Sequence, residues 1–334
     1  MELGGIHHVT AVTTRAAKNL DFYTRVLGLR LVKKTVNQDD ASAYHLFYGD
    51  ELGRPGTEVT FFDWPHLRIA PNHAGVGEVS ATELRVRGRE TLDWWVGRLE
   101  EHGVRHAGIQ ERDGLTASIA FTDPEGQRLR LADDGGAGAG EEPGVAGGVP
   151  WEGSPVPEEF GIRGLGAVDL MVRELAPTAW VLAEVLGFRL LGEHEEEGGG
   201  RVALFEVGEG GPGALVRVVE VPGAPQAHLG RGGVHHVAFR TRDGEEQRLW
   251  RERLRVMGVG VTPQIDRYYF RSIYFREPGG VLFEIATDGP GFATDEDAAH
   301  LGERLSLPPF LEGRREEIEG RLEPLPVAGD AARG

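Results

Sequence analysis

The feature that most constrains this chain is an internal repeat. The segment GIHHVTAV (5–12) has a near copy in GVHHVAF (233–239), and weaker relatives occur as GEVSATELRV (77–86) and GLGAVDLMV (164–172). Each alternates apolar and polar positions or is rich in β-formers, which predicts a strand. A helical pattern follows every one: AAKNLDFYTRVLGLRLV (16–32), TLDWWVGRLEEHGV (91–104), LAPTAWVLAEVLGFRLL (175–191) and EEQRLWRERLRVMGV (245–259). Leu20, Tyr23 and Leu27 share one face of the first, and Gly28, Gly103 and Gly258 act as stops. The tails repeat as well. ASIAFTDPEGQRLRLADD (117–134) lies over RSIYFREPGGVLFEIATD (271–288), each with a D/E-P-x-G turn between two strands. EVTFFDWP (58–65) and ALVRVVEVP (214–222) read as terminal strands of the other two copies.

Such a period means four strand–helix–strands units, at about 5–65, 77–134, 161–222 and 232–288. Units one and two fill 1–134. A Gly/Pro-rich stretch at 135–155, beginning GGAGAGEEPGVAGGVP, reads as a flexible linker. Units three and four with a C-terminal extension fill 156–334. The extension (289–325) has two helix-like stretches, DEDAAHLGERLSL and GRREEIEGRL, split by Pro308 and Pro309.

Composition narrows the chemistry. The 334 residues suit two domains, with 40% hydrophobic and 27% charged residues as in a soluble globular protein. No run approaches a membrane span, and MELGGIHHVT lacks a secretory signal, so a cytoplasmic location is expected. A net charge of −17 repels nucleic acid and anionic membrane surfaces, so neither is an expected partner. The runs EHEEE (193–197) and GRREEIEGR (313–321) read as solvated faces. Cysteine is absent, which removes disulfides, thiolate metal sites and a cysteine nucleophile. Any metal must therefore bind through imidazole and carboxylate.

Aligning the four copies locates such a set. His8 and His236 occupy one position of the first strand in copies one and four, where copies two and three carry Ala81 and Ala167. Glu284 sits in the last strand of copy four, where copy two has Arg130. Two imidazoles and one carboxylate make a facial triad that leaves coordination sites open. Adjacent strand residues face opposite ways. Ile6, His8 and Thr10 thus share one face, and His7, Val9 and Ala11 the other; Phe283 and Ile285 oppose Glu284. We take the second His of each pair as the ligand, which turns His7 and His235 away from the metal. If the three ligands meet, copy one must lie beside copy four, leaving two and three as a metal-free pair. The remaining histidines (His45, His66, His73, His102, His106, His194, His228 and His300) have no repeat support and read as surface or structural groups.

These motifs resemble the vicinal-oxygen-chelate superfamily, which includes glyoxalase I, bleomycin-resistance proteins and extradiol dioxygenases. The stretches GIHHVTAVTT (5–14), DFYTRVLGLRLVKKTVNQDD (21–40), GTEVTFFDWP (56–65), GVHHVAF (233–239), YFREPGGVLFEIATD (274–288), PGFATDE (290–296) and LSLPPFLEGRR (305–315) are similar to its hydroquinone-cleaving dioxygenase branch. The resemblance implies an α+β fold of four βαβββ modules forming two cup-shaped mixed sheets, with a C-terminal helical extension. It implies a ferrous ion, with Mn(II) as the other candidate, on His8, His236 and Glu284. Thr10, His7 and His235 would lie near the metal, with Arg267 and Tyr274 lining the substrate pocket. Arg267 and Tyr274 have opposite strand parity, so both reach the site only across a bulge or bend.

The implied reaction inserts both atoms of O2 into a small dihydroxylated aromatic ring. Tyr274 would hydrogen-bond an ionised ring oxygen, Arg267 would offset negative charge, and His7 or His235 would serve as the acid–base group. A homodimer is the expected assembly. Three other readings stay open. One is an extradiol enzyme acting on catechols. Another is a glyoxalase-type lyase, against which Arg130 stands where a second carboxylate would be. The third is a binding module, which the complete triad disfavours.

Overall fold

The repeat is visible directly in the order of elements. The computed structural model describes residues 1–64, 69–112, 115–135, 144–195 and 200–325. His66, residues 136–143 of the Gly-rich stretch and the end of the EHEEE run lie outside these. Module one comprises β1 (Ile6–Thr13), α1 (Ala16–Asp21), β2 (Arg30–Asn37), β3 (Asp40–Gly49) and β4 (Glu58–Asp63). Module two comprises β5 (Glu78–Val86), α2 (Arg89–Glu101), β6 (His106–Arg112), β7 (Leu115–Thr122) and β8 (Arg128–Asp133). Module three has β9 (Leu165–Val172), α3 (Leu175–Trp180), β10 (Arg189–Glu195), β11 (Arg201–Glu206) and β12 (Leu215–Glu220). Module four has β13 (Val234–Thr241), α4 (Gly244–Val256), β14 (Ile265–Asp266), β15 (Arg271–Arg276) and β16 (Leu282–Thr287).

The sixteen strands form two eight-stranded mixed sheets. One runs β14-β15-β16-β13-β1-β4-β3-β2, so modules four and one are continuous through the antiparallel pair β1–β13. The other runs β10-β11-β12-β9-β5-β8-β7-β6 and joins modules three and two through β5–β9. The helices pair differently. Arg98 of α2 donates to the carbonyls of Val26 (3.2 Å) and Arg25 (2.6 Å) of module one. Arg253 of α4 repeats this on Val185 (2.6 Å) and Glu184 (2.6 Å) of module three. Sheets therefore link one to four and two to three, while helices link one to two and three to four.

The helices form for ordinary reasons. Asp243 caps α4 by accepting from the Glu245 and Glu246 amides, and Arg253 and Arg255 sit in its last turn, where cations oppose the helix dipole. In modules one and three the helix ends in a π-helical turn, Phe22–Val26 and Val181–Val185. The wider turn brings Leu20, Tyr23 and Leu27 together into the core. Gly28 then takes φ +72°, and a Cβ there would come within 2.6 Å of Val156 Cγ2. Helix-facing strand residues such as Val9, Tyr44, Leu46, Val237, Phe283 and Ile285 belong to one large core cluster. The opposite face of the first sheet lines a cup, with Val32, Phe47, Ala238 and Ala286 forming a separate small cluster. No helix among the described residues is long and apolar enough to cross a membrane.

Two expectations need correction. Residues 144–155 of the linker are tied down rather than loose. Val149 exchanges hydrogen bonds with Glu51 (2.9 Å) and Asp50 Oδ2 (3.0 Å), Gly148 bonds the Arg163 carbonyl (2.8 Å), and Arg85 bonds the Val145 carbonyl (2.9 Å). Glycine composition signalled conformational freedom, but Gly148 sits where a Cβ would meet Thr57 and Asp50, so close packing is its reason. The stretch DEDAAHLGERLSL is not helical beyond a 3-10 turn at Ala298–His300. Its acids are engaged elsewhere: Lys33 bonds Asp295 (2.7 Å) and Glu296, and Ser306 pairs with the backbone of β2 at Lys34 (2.9 Å). A short helix α5 (Pro309–Glu312) starts at the second of the two prolines, and the second stretch gives the short helix α6 (Arg315–Glu319).

Candidate metal centre

Three elements converge on the inside of the first cup. His8 comes from β1, His236 from β13 and Glu284 from β16. Parallel pairing sets Ala238 opposite Glu284, and antiparallel pairing sets His236 opposite Thr10 and Ala238 opposite His8. His8 Nε2 and His236 Nε2 are 3.3 Å apart, and Glu284 Oε2 lies 3.4 Å and 2.8 Å from them respectively. Donors on one face of an octahedron, each ~2.1 Å from an ion, lie ~3 Å apart, so these separations fit a divalent cation. The side chains are 1%, 3% and 0% exposed, which makes an unneutralised carboxylate costly there. No hydrogen-bond donor is aligned with either Glu284 oxygen among the described residues. A cation is the missing partner that this donor set suits.

Around the three lies a pocket with polar and apolar walls. Its polar wall includes Thr35, Asn37, Gln38, Asp39 and Arg267, and its apolar wall Phe47, Phe62 and Phe270. Tyr274 stands directly opposite Glu284 across β15–β16, with its ring 5.8 Å from that of His236. Burial, then the charge of Glu284, raises its phenol well above the ordinary value, so it stays protonated. Arg267 also reaches the cavity, although its strand parity differs from that of Tyr274. A bend after β14, where Tyr268 takes φ +71°, supplies the turn. The guanidinium lies 5.5 Å from the Tyr274 ring and pairs with Asp39 at 2.9 Å.

His7 and His235 require a correction of orientation. The register of β1 against β13 slips between Ile6 and His8, making His7 an extra residue, and again between Thr10 and Ala11, making His235 extra on the other strand. Such bulges re-aim side chains. Each histidine consequently lies against the ligand that follows it. His7 Nδ1 is 2.9 Å from His8 Nδ1, and His235 Nδ1 is 2.7 Å from His236 Nδ1. Burial, followed by the neighbouring ligand imidazole, lowers both, His7 well below the usual imidazole range and His235 to about 3. Neither lines the cavity, and neither does Thr10, which bonds Thr60 Oγ1 at 2.8 Å.

His45, read from sequence as a surface or structural group, lies in the cavity wall. Its ring sits between Phe47 (4.0 Å between centroids) and Phe62 (4.4 Å), and its Nε2 meets Thr60 Oγ1 at 3.0 Å. Burial and the two ligand imidazoles lower it well below the usual range. The missed signal was period two in β3: Tyr44, Leu46 and Tyr48 face the core, which assigns His45 and Phe47 to the cup.

In the second sheet the equivalent positions hold no such set. Ala81 and Ala167 replace the imidazoles, and Arg130 bonds Asp169 at 2.7 Å with Arg217 at 3.5 Å from the same oxygen. An ion pair of Arg130 with Asp169 thus stands at the strand position where the first sheet carries Glu284.

The description "Glyoxalase/Bleomycin resistance protein/Dioxygenase superfamily" names the family model that matches residues 5–131 and 164–285. The chain belongs to this superfamily. Within it, the protein is 49% identical over 325 residues to a Bacillus subtilis protein that carries the provisional name ring-cleaving dioxygenase MhqA, covering 97% of this chain and 100% of that one. It is 32% identical over 323 residues, 94% of each chain, to a Sphingobium indicum protein named chlorohydroquinone/hydroquinone 1,2-dioxygenase. A crystal structure of a Bacillus subtilis protein, also provisionally called a dioxygenase, superposes with TM-score 0.87 at 37% identity and 98% coverage of both chains. Glyoxalase I from Zea mays shares the fold alone, with TM-score 0.60 at 14% identity over 85% of this chain and 92% of that one.

Proposed function

We propose that this superfamily member is an Fe(II)-dependent dioxygenase that opens a hydroquinone-type ring with O2, using His8, His236 and Glu284 as metal ligands. The observation that carries this reading is the buried two-imidazole, one-carboxylate set of His8, His236 and Glu284, facing a pocket whose apolar wall is Phe47, Phe62 and Phe270. The names of the relatives support the reaction class, and the Sphingobium protein's name supports a hydroquinone over a catechol. Manganese(II) would satisfy the same donors.

A ferrous ion held there would supply the electronic link between ring and dioxygen that neither has alone. The chain's own groups do the rest. Phe47, Phe62 and Phe270 enclose the ring and keep water out. Tyr274, protonated, donates to the ionised ring oxygen, and Arg267 keeps a positive charge beside it. Burial opposes that charge, but the bond to Asp39 holds the guanidinium above its ordinary value. His45, neutral and in the cavity wall, is placed to accept a hydrogen bond from the substrate. His7 and His235 do not reach the cavity, so neither touches the substrate.

Anaerobic purification, Fe(II) reconstitution and oxygen uptake over a panel of hydroquinones and catechols test this. Uptake with hydroquinone and not catechol is expected, and Glu284→Gln should lose both bound metal and uptake. Turnover of catechols alone would favour the extradiol alternative. No metal and no uptake with either class would refute the reading.

A further inference from the structure

The two His-His doublets share a geometry that a simple strand would not give. In each, the first histidine is the bulge residue, and its ring stands nearly perpendicular to that of the second, at 85° for His7–His8 and 80° for His235–His236. In each the contact runs between the two Nδ1 atoms, at 2.9 Å and 2.7 Å. A nitrogen pair this close needs one proton between the two atoms. Which partner carries it is decided for His7 by a third group. His7 Nε2 lies 3.2 Å from the carbonyl oxygen of Thr287, which can only accept. A neutral imidazole has a single N–H. Once His7 spends it on Thr287, its Nδ1 is an acceptor, and the shared proton belongs to His8 Nδ1. His8 Nε2 is then bare, and this is the atom that faces His236 and Glu284.

We propose that His7 and His235 are positioning residues, each fixing the tautomer and ring angle of the ligand that follows it by accepting that ligand's Nδ1–H. The second doublet repeats the arrangement: His235 accepts from His236 Nδ1, leaving His236 Nε2 for the cation. Ligand histidines commonly donate their second N–H to a carboxylate or carbonyl. Here an imidazole one residue earlier on the same strand does so, and the bulge makes that neighbour reachable. Thr287 closes the first relay from the end of β16, the strand that also carries Glu284. This inference rests on the metal reading given above.

The test uses full-length protein and Co(II) as the probe. His7→Phe and His235→Phe keep a planar ring but remove the acceptor. Each should weaken Co(II) binding by about 10–100-fold and alter the d–d absorption spectrum. His7→Asn and His235→Asn return an oxygen near the Nδ1 position and should recover affinity to within a few-fold. Two-bond 1H–15N spectra of the Zn(II)-loaded wild-type protein should show His8 and His236 protonated at Nδ1. They decide the matter even where a Phe variant fails to fold. Unchanged Co(II) affinity and spectrum in both Phe variants, or a ligand histidine protonated at Nε2, would overturn the proposal. His236→Ala separates the two readings. If it binds Co(II) as tightly as wild type, the ligand set itself is wrong and the relay falls with it. If it loses Co(II) while the Phe variants keep it, only the relay fails.

Discussion

Tyr274 shows how much a single residue's register decides. It stands across the β15–β16 ladder from Glu284, so the pleat sends both side chains into the same cup. Tyr274→Phe should keep the metal and lower kcat about 100-fold, because the lost hydroxyl acts on the ionised ring oxygen rather than on the ligands. Oxygen-uptake rates normalised to bound iron would check this, and an unchanged kcat would remove Tyr274 from the chemistry. The convergence of the three candidate ligands was legible in the sequence, since His8, His236 and Glu284 stand where other copies carry Ala81, Ala167 and Arg130. His45 was not found, although alternation along β3 pointed to it, because its own repeat position holds no duplicate histidine. Arg267 was uncertain for a different reason. Its approach depends on the positive φ of Tyr268, and an aromatic residue gives no warning of such a bend.

At the level of elements, the repeat specified the strands and helices well but not their irregularities. Bulges at His7 and His235 set their rings against the imidazoles that follow, which strict alternation does not predict, and nothing in the composition of IHHVT marks them. The C-terminal segment is another case. It reads as helix-like, yet Asp295 and Glu296 turn inward to Lys33, which is fully buried, and Tyr269 adds a bond to Asp295 at 2.9 Å. These contacts hold Phe292 and Leu301 against the cup lining. Lys33→Met takes the buried cation from Asp295 and Glu296, leaving Glu296 only the exposed Arg304 at 3.8 Å, and should destabilise the fold by about 3–5 kcal/mol. The urea midpoint would report the loss, and a rise in KM would show the cup opening. A midpoint within error of wild type would mean the segment is held by its apolar contacts alone.

For the whole molecule, pH acts through imidazoles that the fold keeps neutral. His7 and His45 titrate well below the usual range, and His235 at about 3, each chiefly through burial. Their folded values lie below their unfolded ones, near 6.5. The unfolded chain therefore binds more protons as pH drops below about 6.5, and stability present above that point is lost progressively toward pH 3. Each such group contributes at most about 1.4 kcal/mol per pH unit within the window. Glu58, Asp63 (to about 7) and Asp123 (to about 6) are raised chiefly by burial and act in the opposite sense, so the histidine contribution is read by difference: the urea midpoint of metal-free His45→Phe should fall less between pH 7 and pH 5 than that of wild type, and parallel profiles would contradict the shift. The pairing of module one with four was readable from the demand that His8 meet His236 and Glu284. The crosswise helix pairing was not, because Arg98 and Arg253 each look like one more arginine on an exposed helix.

That crosswise arrangement has a temporal consequence. His8 and His236 are 228 positions apart, and the carboxylate comes later still. A ribosome making about 5–20 residues per second exposes the first imidazole tens of seconds before its partners exist. On the proposed ligand set, a nascent chain stalled before β13 holds one imidazole and no pocket. Metal capture would then wait for β16, since only a chain translated past Glu284 carries all three donors.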